Sequence, residues 1–402
     1  MPQRHPTILQ IIPELDTGGA ELSTVEIAQA IASAGGRALV LSEGGRLASP
    51  LADVGGELIF FPAATKNPLR LFWNGETISR LIQSEKVDLI HARSRAPAWS
   101  ALYAARKTGT PFVTTYHGAY NENGPLKKLY NSVMARADIV IANSRYTANL
   151  VEQRYGTDDQ KIRVIFRGVD GEHFNPSIVS SDATNAMRAA WALAPTDRVI
   201  LHPARLTGWK GQSVVIDAAH NLKNAGNIDN TVFILAGDAQ GRGAYREGLK
   251  NQIARLGLSQ HVKLVGHISD MRTALACASL AIVASTEPEA FGRTATEAQV
   301  MGCPIIATDI GAPPETIIGA PKVPLAEATG WLIPPRNAVE MANAINAALK
   351  MTADEHAKMG ARARKRVLEH FTLNLMKMQT LGVYDEILGC RLCAAFNVKN
   401  GG

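Results

Sequence analysis

Ser285-Thr-Glu-Pro-Glu289-Ala-Phe291-Gly292-Arg-Thr-Ala-Thr-Glu297-Ala-Gln-Val-Met-Gly302 follows a short apolar run at 280–284 and passes into helical periodicity. It therefore reads as the end of a strand, a polar loop and the first turns of a helix. Glu289 falls in the loop and Glu297 on the helix. Backbone N–H groups around Phe291, Gly292 and Thr294 would be the unpaired donors of a helix N-terminus, which attract anions. Two carboxylates flanking such a place suit a sugar, whose hydroxyls they accept, joined to a diphosphate. A structural reading stands beside this one: Thr294 and Glu297 have capping-box spacing, in which the pair closes a helix start and binds nothing.

Outward from this stretch, short β-rich runs alternate with amphipathic helical segments, the pattern of parallel α/β sheets. In the first half, strands are expected at 7–12, 37–42, 57–61, 87–91, 112–115, 139–143 and 162–166, with helices at 20–34, 69–84, 96–107, 126–136 and 146–155. A second series of strands is expected at 199–203, 231–236, 262–265, 280–284, 305–308 and 330–333, followed by helices at 338–350, 353–370 and 373–388. Between 170 and 196 the periodicity fades and Pro176, Ser177, Ser180 and Ser181 gather. The expected organisation is a first domain at 1–175, a linker at 176–195, a second domain at 196–371, a helix at 372–388 and a fraying tail at 389–402.

A length of 402 residues accommodates two ordinary domains, and 46% hydrophobic with 19% charged residues is a globular balance. The formal net charge of +6 favours nucleotide diphosphates, anionic lipids or nucleic acid as partners, although a solvated surface produces the same number. No basic tail, zinc-finger spacing or RNA-binding signature occurs, so no nucleic-acid partner is expected. Cys277 and Cys303 fall in core elements, while Cys390 and Cys393 form a lone C-x2-C without further ligands at zinc spacing. The first apolar run meets Pro13 and Glu14 too soon for a signal peptide, and no run reaches the ~18 residues of a membrane span. A soluble or peripheral protein of the reducing cytoplasm is expected.

Three further sites lie just past strands, the edge at which open α/β sheets bind ligands. In Asp16-Thr-Gly18-Gly19-Ala20-Glu21 the glycines let backbone approach a ligand closely. The turn is not G-x-G-x-x-G, which argues against a nicotinamide or flavin dinucleotide, and no cofactor is expected; a plain tight turn is the alternative. His117, in Tyr116-His117-Gly118, can hydrogen-bond a sugar hydroxyl or exchange a proton, unless loop carbonyls satisfy it. His91 stands at a similar place without a comparable motif. Arg205 and Lys210, in Pro203-Ala-Arg-Leu-Thr-Gly-Trp-Lys-Gly211, suit a diphosphate, Arg by its planar fork and Lys as a point charge. Solvated surface cations are the alternative. No D-x-D sequence occurs, so a metal-bridged diphosphate is not expected. Leu69-Arg-Leu-Phe-Trp73 and Leu126-Lys-Lys-Leu-Tyr130 read either as amphipathic surface helices or as a peripheral contact with an anionic membrane, in which case the acceptor is lipid-linked.

The run from Pro288 through Glu289, Gly292 and Glu297 to Gly302-Cys-Pro-Ile-Ile-Ala-Thr308 resembles the E-x7-E region of the retaining glycosyltransferases of family 4, which have the GT-B fold. The Gly18-Gly19 turn, His117 and the Arg205-Leu-x3-Lys210-Gly arrangement are similar to the same family's motifs, so the resemblance covers most of the chain. It implies two Rossmann-like parallel-sheet domains facing an interdomain cleft, with the C-terminal helix at 373–388 crossing back to the first domain. It implies a hexosyltransferase that moves a sugar from a nucleoside-diphosphate-sugar donor to a hydroxyl of a glycan or glycolipid acceptor, with retention and without metal. The donor would sit on the second domain and the acceptor mainly on the first. His117 and Glu289 would position the sugar, Glu297 the ribose, and Arg205, Lys210 and the amides of Phe291 and Gly292 the diphosphate; Gly18 and Gly19 would face donor phosphate and acceptor. Family analogy points to lipopolysaccharide core or another envelope glycolipid, made at the inner face of the membrane. A phosphorylase or nucleotide-sugar epimerase of the same fold, or a non-catalytic nucleotide-sugar-binding subunit, would use the same clamps. Ile310-Gly311-Ala312-Pro-Pro-Glu315 departs from the family's adjacent glycines at Ala312, which leaves Glu315 without an assigned role.

Overall fold

A computed structural model describes residues 5–16, 18–120, 122 and 124–400, apart from the Asn400 side chain. Thr17 of the glycine turn and the final Gly401-Gly402 lie outside the described residues. The chain divides into two compact units, Met1–Arg167 with Asn374–Gly402, and Gly168–Leu373.

In the first unit β1 (Thr7–Ile11), β2 (Arg37–Ser42), β3 (Gly56–Phe60), β4 (Leu89–Ala92), β5 (Phe112–Tyr116), β6 (Ile139–Ala142) and β7 (Ile162–Val164) form one sheet in the order β3-β2-β1-β4-β5-β6-β7. Every pairing is parallel, and β1 lies inside the sheet: Ile8 stands beside Ala38 on one side and Leu89 on the other. The middle strands are buried throughout, which explains why they read as continuous apolar runs rather than alternating ones. Leu9, Ile11, Ile90, Phe112 and Tyr116 pack against Ile78, Leu102, Val133 and Met134 from the covering helices.

The second unit repeats the plan with β8 (Arg198–Pro203), β9 (Thr231–Ala236), β10 (Val262–Gly266), β11 (Leu280–Val283), β12 (Ile305–Thr308), β13 (Gly319–Ala320) and β14 (Gly330–Ile333), again parallel, in the order β10-β9-β8-β11-β12-β14-β13. Ile200, Phe233 and Ile282 fill one face of this sheet, and Leu201, Ile234 and Val283 the other. In each sheet the strand order reverses beside the first strand, between β1 and β4 and between β8 and β11. Ligands of doubly wound sheets bind at the carboxyl ends of strands flanking such a reversal.

Two expectations about chain organisation differ from the structure. The segment expected as a linker holds a helix, Ser181–Ala190, whose N-cap Ser180 accepts from Ala183 N at 3.1 Å. Met187, Trp191 and Leu193 join it to the core of the second unit. Of the serines that suggested flexible chain, Ser180 is the helix cap, a position that favours short acceptor side chains, Ser181 opens the helix, and Ser177 lies in a turn capped by Asn175. The expected fraying tail also holds a helix, Leu392–Asn400, with Leu392 and Phe396 buried. Its free N–H groups are met from outside the segment: the Asp385 carboxylate accepts from Leu392 N at 2.6 Å and Cys393 N at 2.9 Å. Burial and the same carboxylate push the Cys390 thiol up to about 12.

No helix of the described residues is long and apolar enough to cross a membrane. The two cation-aromatic stretches lie at the starts of the helices Pro68–Glu85 and Pro125–Asn131, where Leu69, Trp73 and Leu126 are exposed.

Candidate active site

In the second unit the loops after β8 and β11 meet at the strand reversal. Lys210 Nζ reaches Glu289 Oε1 at 2.7 Å, and the Ser285 hydroxyl donates to the same oxygen. Glu289 is only 9% exposed, so the carboxylate is held by two partners while largely out of water. Its backbone is fixed as well: Ala312 N donates to Glu289 O at 2.9 Å, and Glu289 bridges to Gly311. Gly311 has φ of +76°, and a Cβ there would stand 2.5 Å from the Glu289 carbonyl oxygen. Ala312 has φ of −87° and is fully buried, so the residue that departs from the family pattern occupies ordinary helical backbone. The left-handed position is Gly311 alone, and no strain follows from the alanine methyl.

Lys210 is positioned through main chain. Gly211, at φ +76°, brings the turn so close to β11 that a Cβ would lie 1.9 Å from Ala284 O. His202, buried on β8, places Nε2 at 3.0 Å from Lys210 O and Nδ1 at 2.9 Å from Ile282 O. Burial, with a further push from Lys210, lowers His202 to about 4 against the upward pull of those two carbonyls. Neutral imidazole has one N–H, so only one of the two contacts is a hydrogen bond at a time. The Lys210 ammonium also lies 4.2 Å from the Trp209 ring centroid. Arg205, on the same loop, is exposed and among the described residues reaches only Gln240 Oε1, at 3.5 Å.

The helix Arg293–Val300 begins after Gly292, its N-cap at φ +86°. Thr294 therefore lies inside the first turn, and the capping-box reading of Thr294 and Glu297 does not hold. Glu297 instead faces Arg293 Nε at 3.7 Å. Phe291 is a core side chain packed edge-on to Phe371, so what it offers a ligand is backbone.

In the first unit Gly19 and His117 are joined by a residue the motif reading missed. Arg167 follows β7 and is 7% exposed. Its Nη1 donates to Gly19 O and, at 2.5 Å, to Ser23 Oγ; its Nη2 lies 2.7 Å from His117 Nδ1. A Cβ on Gly19 would stand 3.2 Å from Arg167 Nη1, so the glycine leaves room for the guanidinium. Burial, then Arg167, Arg93 and His91, hold His117 well below the ordinary histidine value. The only sequence signal for Arg167 was an arginine just past an expected strand. His91 is fully buried within β4, with Nδ1 at 2.6 Å from Tyr384 OH and Nε2 at 2.7 Å from Thr115 Oγ1, a structural role.

Two parallel doubly wound sheets, with glycine turns, fixed cations and a carboxylate at their strand reversals, define a protein of the GT-B class. The comparisons agree. Glycosyltransferase Family 4 matches residues 17–173, and Glycosyl transferases group 1 matches residues 183–366. A crystal structure of a glycosyltransferase from Rickettsia africae is 34% identical, covering 96% of this chain and 99% of that one, with a TM-score of 0.87. Anabaena HepE in complex with UDP and glucose is 26% identical over 95% of this chain and all 100% of its own, with a TM-score of 0.81. The D-inositol 3-phosphate glycosyltransferase of Jonesia denitrificans is 27% identical over 77% of this chain and 73% of its own length. The Mycobacterium tuberculosis protein of that name is 29% identical over 75% of this chain, a match that spans 62% of its length. The chain belongs to glycosyltransferase family 4, and it is a glycosyltransferase.

Proposed function

We propose that this glycosyltransferase moves a hexose from a nucleoside-diphosphate donor to a hydroxyl acceptor, with retention and without a metal. The observation that carries the reading is the Lys210–Glu289 pair, a cation and a carboxylate from two different loops meeting at 2.7 Å where the sheet reverses. An ammonium has three N–H donors, and Glu289 takes one, leaving two for diphosphate oxygens. Ser285 and Lys210 share Oε1 of Glu289, which leaves Oε2 for a sugar hydroxyl. The reaction's difficulty is charge growing on the departing diphosphate; fixed donors already aimed at it lower that barrier without reorganising. Lys210 and the backbone amides at Phe291, Gly292 and Arg293 serve this charge as fixed donors, and the exposed Arg205 adds a cation from the same loop as Lys210. Glu297 holds the ribose, and His117, with the Gly18-Gly19 turn, contacts sugar and acceptor from the first unit.

HepE, crystallised with UDP and with UDP-glucose, supports a uridine nucleotide as the first donor to try. The acceptor is a glycan or glycolipid hydroxyl, lipopolysaccharide core being the first choice by family analogy and an inositol phosphate the second, suggested by the relatives' names. The test is a thermal-shift screen of nucleotide sugars, followed by transfer assays with the hits in EDTA and anomeric NMR of the product. A stabilising donor consumed only when acceptor is present, unaffected by EDTA, with the donor's anomeric configuration kept, is the expected result. Turnover that requires inorganic phosphate, or that proceeds without acceptor, would replace transfer by phosphorolysis or epimerisation. Binding without turnover would leave a nucleotide-sugar-binding subunit.

A further inference from the structure

His117 Nε2 is shielded from solvent and has no hydrogen-bond partner among the described residues, whereas Nδ1 lies 2.7 Å from Arg167 Nη2. A guanidinium carries only donors and does not lose its proton in proteins. The Nδ1 atom must therefore be the acceptor. A proton on Nδ1 would set two N–H groups against each other at that distance, which excludes both the Nδ1–H tautomer and the imidazolium. The ring's proton is on Nε2. Arg167 is itself held by Gly19 O and Ser23 Oγ, both on the segment that opens the first long helix, so its position does not depend on the histidine.

We propose that Arg167 is a positioning residue that locks His117 as neutral Nε2–H imidazole, making it a fixed hydrogen-bond donor to a substrate oxygen rather than a general base. This deepens the reading above, on which it rests for the presence of a substrate at His117. Burial and the neighbouring cations act in the same direction, keeping the ring neutral. A buried N–H without a partner is costly to maintain. A site that keeps one is prepared for an acceptor atom that arrives with the ligand, such as a hydroxyl or ring oxygen of a sugar. The same arrangement ties the glycine turn to the histidine, because one guanidinium holds both.

The test starts on the substrate-free full chain with 15N-labelled histidine, the His117 signals being assigned by their loss in His117→Gln. The expected spectrum at neutral pH has Nε2 protonated and Nδ1 bare. A Nδ1–H ring or an imidazolium would overturn the proposal. Arg167→Met should release the ring into a mixture of tautomers, and Arg167→Lys, which retains a donor, should restore the Nε2–H form. An unchanged tautomer in Arg167→Met would also overturn it. If the methionine variant fails to fold, the wild-type and lysine spectra still decide. In turnover, Arg167→Met should lose about 10–100-fold in kcat with little change in KM, as expected when the partner that orients a working side chain is removed. His117→Gln, whose amide nitrogen can stand where Nε2 stood, should retain more activity than His117→Asn; equal loss in both would argue for a base. The spectra involve no donor, so a failure of the donor assignment leaves this part of the test intact.

Discussion

Lys210 and Glu289 answer to each other before any ligand arrives, and that changes what substitutions there should do. Lys210→Ala leaves a mostly buried carboxylate with Ser285 and, in the proposed donor site, removes a fixed cation from the leaving diphosphate. Turnover should fall by about 10²–10³, more than donor affinity does, since the ammonium is worth most when negative charge develops. Steady-state kinetics beside a measured donor Kd separate the two. The double substitution Lys210→Ala with Glu289→Ala should cost less than the sum of the single losses, because the groups are in contact. Strict additivity would mean that they serve different ligands. His202 supplies a prediction about stability. Its value of about 4 when folded lies below the ordinary 6.5 of the unfolded chain, so between those pH values the unfolded chain binds the extra proton. Its contribution is whole above pH 6.5 and is lost as pH falls toward 4, about 3 kcal/mol in all. Urea unfolding at pH 7 and pH 4.5 measures this, and the dependence should be weaker in His202→Gln.

Among elements, the two unexpected helices show where local reading failed, and for different reasons. Ser181–Ala190 was legible in principle: Ser180 before an acidic first turn at Asp182 is a helix-start signal, overruled by the loss of obvious periodicity. Leu392–Asn400 was not, because its cap is Asp385, a residue of the preceding helix that only the chain's bend brings within reach. Both apolar anchors of this last helix are buried, Leu392 at 3% and Phe396 at 2% exposure. Phe396→Ala should therefore destabilise the first unit by about 3 kcal/mol, the ordinary cost of truncating a buried phenylalanine. Thermal unfolding of the variant is the check, and a melting curve like wild type would return the segment to the status of a frayed tail.

Across the molecule, the proposed placement of the donor on the second unit gives its binding a predictable footprint. A bound ligand raises the free energy of opening for the structure it contacts. Hydrogen exchange with and without UDP-glucose should therefore show added protection within Gly168–Leu373, centred on 205–211 and 285–300. Protection confined to the first unit would reverse the assignment of the donor side. The parallel sheets themselves were written in the chain: buried strands read as apolar runs, helices read by their period, and thirteen of the fourteen strands among the described residues stood where those runs stood. β13, Gly319–Ala320, was silent because two small residues carry no pattern. The place of Glu289, Lys210, Arg205 and His117 just past parallel strands was legible, and that edge is where doubly wound sheets bind ligands. Which of them touch was decided by the tertiary fold alone. Arg167 meets His117 across 50 positions, and Lys210 meets Glu289 across 79. Contacts of that range depend on strand order and loop path, and neither composition nor local period encodes those. The tautomer of His117 belongs to the same category, because a ring nitrogen's proton is assigned by whichever atom folding places beside it.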